Sequence, residues 1–408
     1  MRNNLFYLLI YLLIFTSCNS NKSNRNQYFE TDFLKSLDEQ VLRLDSISLS
    51  DSDNYFNLFI DTDQIGQNKI LASQVPNLSF YLLDSLGNVE MKVAQKGQGP
   101  GLLGNVQFAN GTLGDSGRIY ILTSGNTYQL FVFDALGGFI KSFPLFKFLS
   151  DVFFPVTNSS FEVIEKEDDT VLVTFSTGST LYAHESKEYF ENATGVAQFT
   201  IDMDSLKVTG YKAKLPLIQL PEIQEALKDE GFYWEDAYPI FDYENGLFYL
   251  TYAFSRELFV YDQQFNLIDT IDLKTLKSIP NRNFVQKIGS NDDEFLVRAI
   301  NTMRRRNENR NIQRISVKGN KVVLQFTEIL KEGSYELPSN KNLGVPKKVS
   351  DRILNHALFK DLKTNEERFI TFPEDHYSVF MTDHQDFLVH VIPREREEVF
   401  LLKYRLKK

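Results

Sequence analysis

One short pattern occurs three times in the chain and limits the folds that it can adopt. A strand of alternating aromatic and aliphatic residues leads to Asp, two further residues, and then Gly or a near equivalent, after which a second strand follows. The copies are LSFYLLDSLGNV (78–89), YQLFVFDALGGFI (128–140) and ELFVYDQQFNLI (257–268). An Asp that caps its own turn and a Gly that accepts positive φ are typical of β-hairpins. The pattern therefore predicts a protein built from antiparallel hairpins.

The turn residues of the three copies are aligned as follows. The capping position is held by Asp84, Asp134 and Asp262. Gly87 and Gly137 hold the Gly position, and Asn266, one residue later than expected, is predicted to replace Gly in the third copy.

Fainter strand–turn–strand units follow elsewhere and suggest a repeat architecture. The predicted pairs are Val171–Phe175 with Ala197–Ile201, Phe295–Ala299 with Ile312–Val317, and Phe387–Ile392 with Val399–Tyr404. Six units then begin near residues 70, 119, 171, 247, 295 and 387, and three of the five intervals are 48–52 residues. Propeller blades repeat at about 40–50 residues, and such sheets bury both faces only by stacking radially.

We therefore predict an all-β fold, a β-propeller of six blades of four antiparallel strands. A β-sandwich is the alternative, but it usually needs fewer residues in one domain. A seventh blade would require that residues 333–372 form a degenerate unit. The last strand, Val399–Leu406, leaves no room for an outer strand. Either Val41–Leu49 or Tyr55–Ile60 is predicted to complete that blade from the N-terminus and so to remove an exposed edge.

Two insertions are predicted within this single domain, which we place at residues 36–408. The first covers about 208–246, with a short helix over Glu222–Asp229 that begins after Pro221. The second covers about 330–385, where Ser350 is predicted to cap a helix with an apolar stripe. Both decorate the ring with short helical segments.

The first 35 residues read as an export and anchoring segment. Residues 1–17 contain a basic start and an apolar run of 11 residues, too short to span a bilayer, so we interpret them as a signal peptide. Cys18 follows a small residue and is the only cysteine in the chain. This arrangement resembles the bacterial lipobox, in which the cysteine is lipidated. Residues 18–35 are polar and rich in Asn, and are predicted to be a flexible tether.

Composition excludes several classes of protein. Of 408 residues, 42% are hydrophobic and the net charge is −10. The apolar content supports a folded core, and the acidic balance argues against a nucleic-acid partner. With one cysteine, no internal disulfide can form, so stability must come from buried apolar surface.

A glycine-rich string after the first hairpin carries a family resemblance. Gly97, Gly99, Pro100 and Gly101 lie in the sequence KGQGPG, which resembles a turn of the six-bladed β-propeller lipoproteins of Gram-negative bacteria. Leu102 stands where that turn usually has an acidic residue. From the residues alone, the string is predicted to be a structural crossover between blades. The resemblance implies a binding or scaffold component of the cell envelope.

Arginines form the one basic cluster in this acidic chain. Arg304, Arg305, Arg306 and Arg310 fall in a predicted loop of the fifth blade. Arg pairs bidentately with carboxylate and phosphate, so the cluster is a candidate contact for an anionic glycan, lipid headgroup or acidic partner. A solvated loop is the alternative.

Histidines and paired carboxylates are the candidate catalytic or metal-binding groups of the sequence. Four of the five histidines, His356, His376, His384 and His390, lie near the C-terminus, but their spacing fits no zinc template. The carboxylate pairs are Asp61/Asp63, Asp168/Asp169, Glu235/Asp236 and Asp292/Asp293/Glu294. Most lie at predicted turns, where solvated caps are the simpler interpretation. No metal, cofactor or catalytic residue is predicted.

The sequence therefore favours an exported, lipid-anchored and monomeric propeller that binds an envelope protein or a glycan. Its expected location is the periplasmic face of the outer membrane. The alternative is a propeller enzyme, a lyase, lactonase or glycoside hydrolase, that uses carboxylates or histidines of the channel.

Overall fold

The structure is a computed structural model. It describes the residues in these ranges: 37–49, 58–59, 65–66, 69–74, 78–106, 108–124, 128–148, 152–153, 160–179, 191–192, 195–215, 239–252, 255–277, 311–329, 335–336, 347–348, 353–373, 376–382, 386–391 and 400–407.

Nearly all of the regular structure is β. The strands of the N-terminal half are β1 (Val41–Ser48), β2 (Leu58–Phe59), β3 (Ile65–Gly66), β4 (Lys69–Gln74), β5 (Ser79–Asp84), β6 (Val89–Ala94), β7 (Phe108–Leu113), β8 (Ile119–Ser124), β9 (Gln129–Phe133), β10 (Phe139–Pro144), β11 (Val152–Phe153), β12 (Phe161–Glu165), β13 (Thr170–Ser176), β14 (Gly178–Ser179), β15 (Val196–Asp202) and β16 (Lys207–Lys214). Those of the C-terminal half are β17 (Pro239–Glu244), β18 (Leu247–Tyr252), β19 (Glu257–Tyr261), β20 (Leu267–Asp272), β21 (Asn311–Lys318), β22 (Lys321–Ile329), β23 (Tyr335–Glu336), β24 (Lys347–Lys348), β25 (Ile353–Asp361), β26 (Glu367–Phe372), β27 (His376–Met381), β28 (Asp386–Val391) and β29 (Phe400–Leu406). A 3₁₀ turn covers Leu145–Lys147 and a short α-helix covers Lys274–Lys277.

Six antiparallel sheets form the blades of a ring, which confirms the predicted six-bladed propeller. From the innermost strand A to the outermost strand D, blade 1 is β2-β4-β5-β6, blade 2 is β7-β8-β9-β10 and blade 3 is β12-β13-β15-β16. Blade 4 is β17-β18-β19-β20, blade 5 is β21-β22-β25-β26 and blade 6 is β27-β28-β29-β1. The short strand β3 also pairs with β4. Two small two-stranded ribbons are formed by β11 with β14 and by β23 with β24.

The N-terminal strand closes the ring, as the sequence predicted for the first of its two candidate strands. In blade 6, β1 runs antiparallel to β29 from the pair Val41 and Leu406 to the pair Ser48 and Phe400. The first and last strands of the chain thus share main-chain hydrogen bonds in one sheet. This pairing covers the edge that β29 would otherwise expose.

The blades are held to each other by apolar clusters that neighbouring sheets share. Such clusters lie between blades 1 and 2, 2 and 3, 4 and 5, 5 and 6, and 6 and 1. Between blades 3 and 4, the Ser176 Oγ donates to the Pro239 carbonyl at 2.5 Å, and the Phe241 N–H donates to the Ser160 Oγ at 2.7 Å. The middle strands of the blades are therefore buried on both faces, which explains why they read as nearly continuous apolar runs.

The C–D turns of blades 1 and 2 have the predicted Asp caps. In blade 2, the Asp134 Oδ1 accepts hydrogen bonds from the Leu136 N–H at 2.8 Å and the Gly138 N–H at 2.7 Å. Gly137 adopts φ of +76°, a conformation that favours glycine. The Asp134 carboxylate therefore holds the turn in shape by accepting hydrogen bonds from two of its backbone N–H groups.

The equivalent turn of blade 4 differs from the prediction in one residue. Phe265, with φ of +60°, and not Asn266, takes the position of the glycine. The Asn266 side chain instead donates to the Asp262 Oδ2 at 2.8 Å. The ring of Phe265 stacks on Phe248, with ring centroids 4.7 Å apart. This aromatic contact offsets the strain of a bulky residue in the left-handed region.

Replacing the cap in blade 2 tests its contribution. We expect Asp134→Ala to lower the free energy of unfolding by about 1–2 kcal/mol, because two turn N–H groups lose their acceptor. Leu136→Ala is the matched control, since that side chain is 84% exposed and its loss should cost under about 0.5 kcal/mol. Urea unfolding followed by circular dichroism measures both variants. Equal stability of the two variants would show that the cap contributes nothing.

The fifth blade contains a strand pairing that the sequence did not predict. Ile312–Val317 lies in β21, which pairs with β22 across a tight turn at Gly319, where φ is +58°. The proposed partner, Phe295–Ala299, lies outside the described residues. The sequence prediction overlooked Gly319-Asn320 as a hairpin turn, although Gly followed by Asn is a turn signal.

The predicted second helix and both insertion ranges also need correction. The residues Ile353–Asp361, assigned to a helix that Ser350 would cap, form the strand β25 between β22 and β26. Burial on both faces explains the apolar stripe, which a buried strand shares with a helix. Among its described residues, the range 330–385 therefore contains the three blade strands β25, β26 and β27, and the range 208–246 contains most of β16 and all of β17. The predicted helix over Glu222–Asp229 lies outside the described residues.

Candidate functional site

A cavity of about 910 Å³ occupies one end of the central channel. The A strands β7, β12, β17, β21 and β27 contribute to its wall, together with the A–B turns of blades 2, 3 and 4. The strands of five blades thus converge on it, which only the closed ring makes possible. We refer to this end of the ring as the cavity end.

The wall of the cavity is strongly acidic. The charged lining residues are Asp115, Glu162, Glu165, Glu167, Asp168, Asp242, Glu244, Lys166 and Lys318. Seven acids thus face two lysines in a concave site whose low-dielectric walls concentrate the electric field. The arrangement favours positively charged groups inside the cavity.

Glu165 belongs to a hydrogen-bonded link between blades 2 and 3. Its carboxylate accepts from the Ser116 N–H at 2.6 Å, the Ser116 Oγ at 2.7 Å and the Tyr120 hydroxyl at 2.6 Å. Burial, and next the hydrogen bond to Glu165, raise the pKa of Tyr120. A Cβ on Gly114 would lie 2.5 Å from the Glu165 Cδ, so a larger residue there would force the Glu165 carboxylate to move. Glu165 therefore serves mainly to hold the wall in shape.

Asp242 and Glu244 form the wall toward blade 5. The Asp242 Oδ2 accepts from the Val317 N–H at 2.5 Å, and the Glu244 Oε1 accepts from the Gly319 N–H at 3.1 Å. The Lys318 Nζ lies 3.6 Å from the Glu244 Oε2. Removal from water raises the pKa of Asp242 to about 7, with a smaller contribution from the charge of Glu244, while the backbone N–H groups of Val317 and Tyr243 oppose this shift. Asp242 thus exchanges a proton near neutral pH.

Tyr243 presents a half-buried aromatic ring on the opposite face of the same strand. Its hydroxyl accepts from the Gln263 Nε2 at 2.5 Å, and its ring centroid lies 4.9 Å from that of Phe248. Burial raises the pKa of the Tyr243 hydroxyl. Glu162, only 8% exposed, lines the cavity from blade 3. The cavity therefore combines acidic oxygens with one oriented aromatic ring.

The histidine hypothesis gains no support from the described residues. His356 is buried inside blade 5, where its Nδ1 lies 2.9 Å from the Thr371 Oγ1 and its ring packs against Phe326 and Phe369. His376 and His390 lie on β27 and β28, but their side chains, like all of His384, are outside the described part. Among described side chains, no group of three or more His, Cys, Asp or Glu could hold a metal ion.

The GQGPG string connects the D strand of blade 1 to the A strand of blade 2. The Gly97 N–H donates to the Gly104 carbonyl at 3.3 Å, and the Leu102 N–H donates to the Gly99 carbonyl at 3.2 Å. Leu103 is buried in the cluster between these blades. Since β6 ends and β7 begins away from their blades' C–D and A–B turns, the string lies at the end opposite the cavity.

Several predicted sites lie outside the described residues. They are Cys18, the arginines 304–306 and 310, and the carboxylate groups at 61/63, 235/236 and 292–294. Their roles stay predictions. Of the remaining pair, Asp168 lines the cavity, whereas Asp169 forms an ion pair with Arg118 at 2.8 Å.

The sequence interpretation missed the acids of the inner strands. Glu162 follows Phe161 in β12, and Asp242 follows Phe241 in β17, so each carboxylate directly follows a buried aromatic residue. The pattern FDYE over 241–244 alternates aromatic residues with acids. Such alternation indicates a strand with one face toward a polar channel.

Comparison with known proteins supports the fold. No protein-family model matches the chain, and neither does any curated protein. Among solved structures, a DUF4221-family member from Bacteroides vulgatus is similar, with 14% identity, a TM-score of 0.59, and coverage of 90% of this chain and 98% of that chain. A Bacteroides fragilis protein proposed to be exported has 12% identity, a TM-score of 0.48 and coverage of 90% and 95%.

A streptogramin B lyase is 10% identical, with a TM-score of 0.38 and coverage of 90% of this chain and 99% of that chain. At TM-scores below 0.5 the structural similarity is too weak to support a conclusion about function, and this applies to both the lyase and the B. fragilis protein. The likeness at 14% identity concerns the fold alone. The chain is therefore a six-bladed β-propeller of the architecture seen in the DUF4221-family structure.

Proposed function

We propose that this protein is an exported, lipid-anchored binding protein whose cavity holds a cationic organic ligand. The acidic cavity at the channel end carries the proposal, because it is concave, formed by several blades and lined by seven acids against two lysines. A volume of about 910 Å³ lies within the range typical of small-molecule sites. The ring supplies a rigid frame, so little conformational entropy is lost when a ligand binds.

The distribution of the acids favours an extended cation over a single metal ion. Metal ions need several ligands that converge within about 2–2.6 Å of one point. Here the acids are spread along the strands and turns of blades 2, 3 and 4, and the described ones form no such group. A polyamine or a basic peptide segment can reach several of them at once, while Tyr243 offers its ring to an ammonium group.

The location in the cell envelope rests on the N-terminal segment. The signal-peptide pattern, Cys18 and the polar stretch 18–35 support export and lipidation. None of the helices in the described part of the chain has the length and apolar character that a membrane span requires. An anchor at Cys18 would hold the propeller at a membrane surface.

Isothermal titration with spermine and an octalysine peptide tests the ligand class. We expect saturable binding at low salt that weakens at least tenfold in Glu162→Gln combined with Asp115→Asn, because two cavity charges are lost. Glu366→Gln is the matched control, since this exposed acid lies outside the cavity lining, and its affinity should stay within twofold of the parent.

Two outcomes would refute the cationic ligand. One is no saturable binding of either probe. The other is an equal loss of affinity in the cavity variant and in Glu366→Gln, which would indicate attraction by net charge alone. Raising salt should weaken the cavity interaction, but less than an exposed one, because buried charges are less screened.

Asp242 favours a second candidate function, acid-catalysed hydrolysis or elimination. A carboxyl group that holds its proton near pH 7 is suited to general acid catalysis, and it lies in the cavity two residues from Glu244. Turnover of 4-nitrophenyl glycosides or lactones by the purified protein, absent from Asp242→Asn, would favour this function over simple binding. Turnover that persists in Asp242→Asn would exclude Asp242 as the acid.

A further inference from the structure

The N-terminal strand enters the ring at the cavity end. Val41, the first residue of β1, pairs with Leu406 at the end of β29. The neighbouring strand β28 places Asp386 opposite Arg405, directly after the A–B turn of blade 6. Met381, which precedes this turn, lines the cavity. Because the strands of a blade are antiparallel, the start of β1 and the cavity share one end of the sheet.

The residues just before β1 are fixed at this end. Leu37 is buried in the apolar cluster between blades 5 and 6. The Lys407 N–H donates to the Gln40 carbonyl at 2.9 Å, and the Lys407 Nζ donates to the Asp38 carbonyl. The Arg368 guanidinium donates to the Lys407 carbonyl. The chain therefore leaves the ring from a defined point at the cavity end.

The length of the preceding segment limits how the domain can turn. A flexible chain of the length of residues 18–35 has a typical end-to-end distance of about 20–25 Å. A domain of the size of residues 36–408 has a radius of gyration of about 21 Å, and hence a diameter of about 55 Å. A flexible chain of this length therefore typically spans less than half of the diameter. Turning the opposite end toward the membrane would stretch the tether around the ring, at a cost in chain entropy.

We infer that the cavity opens toward the membrane that carries the anchor, so that its ligand is a cationic group presented at that membrane surface. This inference rests on the proposed lipid anchor and on the cationic ligand. Anionic headgroups would repel the acidic wall, so the lipid itself does not fill the cavity. A basic segment of a membrane-embedded protein carries the complementary charge and approaches from the correct side.

Site-specific fluorescence quenching tests the orientation. Thr364→Cys places a thiol on the exposed C–D turn of blade 5. This turn lies at the cavity end, because the Leu362 N–H donates a hydrogen bond to the Asn320 carbonyl in the A–B turn of the same blade. Gln98→Cys places one on the exposed string at the opposite end. Lipidation consumes Cys18, so each variant offers one thiol to a fluorophore. The full-length lipidated protein is bound to phosphatidylcholine–phosphatidylglycerol vesicles that contain headgroup spin-labelled lipid.

We expect the fluorophore at position 364 to be quenched at least twofold more than the one at position 98. Equal quenching, or stronger quenching at position 98, would overturn the orientation while leaving the anchor intact. Cys18→Ala combined with Thr364→Cys supplies the unanchored control and should show no quenching. If the parent protein also does not bind the vesicles, the proposed lipid anchor is refuted, and the proposed orientation is refuted with it.

Discussion

A chain that starts at residue 50 is expected to lose cooperative unfolding, whereas a chain that starts at residue 36 keeps it. The shorter chain lacks β1, and blade 6 is left with three strands and an open edge on β29. Three buried side chains, Leu37, Val41 and Leu49, are lost as well. Each contributes about 1.5–3 kcal/mol, and the lost strand pairing adds to this. The total reaches about 5–10 kcal/mol, which is comparable to the whole stability of a typical domain.

Urea unfolding and size-exclusion chromatography distinguish the two chains. The chain from residue 36 should elute as a compact monomer with one sharp transition, and the chain from residue 50 should aggregate or unfold gradually. A synthetic peptide of residues 36–50, added in trans, should restore the transition because it supplies the missing strand. Val41→Asp in the longer chain gives a milder test at a buried position. Equal stability of both chains would mean that the ring does not depend on closure by β1.

The free energy of unfolding of Asp242→Asn, relative to that of the parent, is expected to rise by about 3–4 kcal/mol between pH 4 and pH 8. The carboxyl pKa is about 7 in the folded protein and 3.8 in the reference state. Between these values the folded state binds one more proton than the unfolded state, so this group's contribution to stability falls as the pH rises from about 4 to about 7. Asn stays neutral throughout and keeps an acceptor for the Val317 N–H. The difference in unfolding free energy between variant and parent should grow across this window and then level off.

Urea unfolding at intervals of half a pH unit from pH 4 to 9 measures this difference. Asp168→Asn removes the same charge from the exposed turn of the cavity wall and is the matched control for the loss of a carboxylate there. A difference for Asp242→Asn that is constant or shrinks with pH would show that Asp242 is ionised in the folded protein. In that case, the general-acid function would lose its support.

The parts of the fold that local sequence encodes were predictable. The hairpins at Asp84, Asp134 and Asp262 combine a capping acid with strong strand patterning, and both signals lie within 12 residues. The closure of the ring by β1 was predictable because the C-terminal residues supply too few strands to complete the last blade. The prediction for blade 5 was wrong because the apolar stripe of β25 fits a helix as well as a strand that is buried on both faces. Only its position between β22 and β26 decides between them.

The candidate site was much less accessible from the sequence than the fold. Asp242, Glu162 and Asp115 lie on different blades, far apart in the chain, and only ring closure brings them to one cavity. The raised pKa of Asp242 depends on burial against blade 5, which no local pattern encodes. Motif reasoning instead favoured the arginines 304–306 and 310, because a run of like charges is visible without any knowledge of the fold.

The pairing of β1 with β29 also has a consequence for the order of events in biosynthesis. Val41 cannot pair with its partner until Leu406, a residue 365 positions later in the chain, is present. Contacts between such distant residues form slowly, because a very long loop has to close. If the chain is secreted N-terminus first, its earliest strand has no partner until the last residues have been translocated. In that case the ring could close only after the last strand had been translocated, and a protein stalled during translocation would lack blade 6 as a finished sheet.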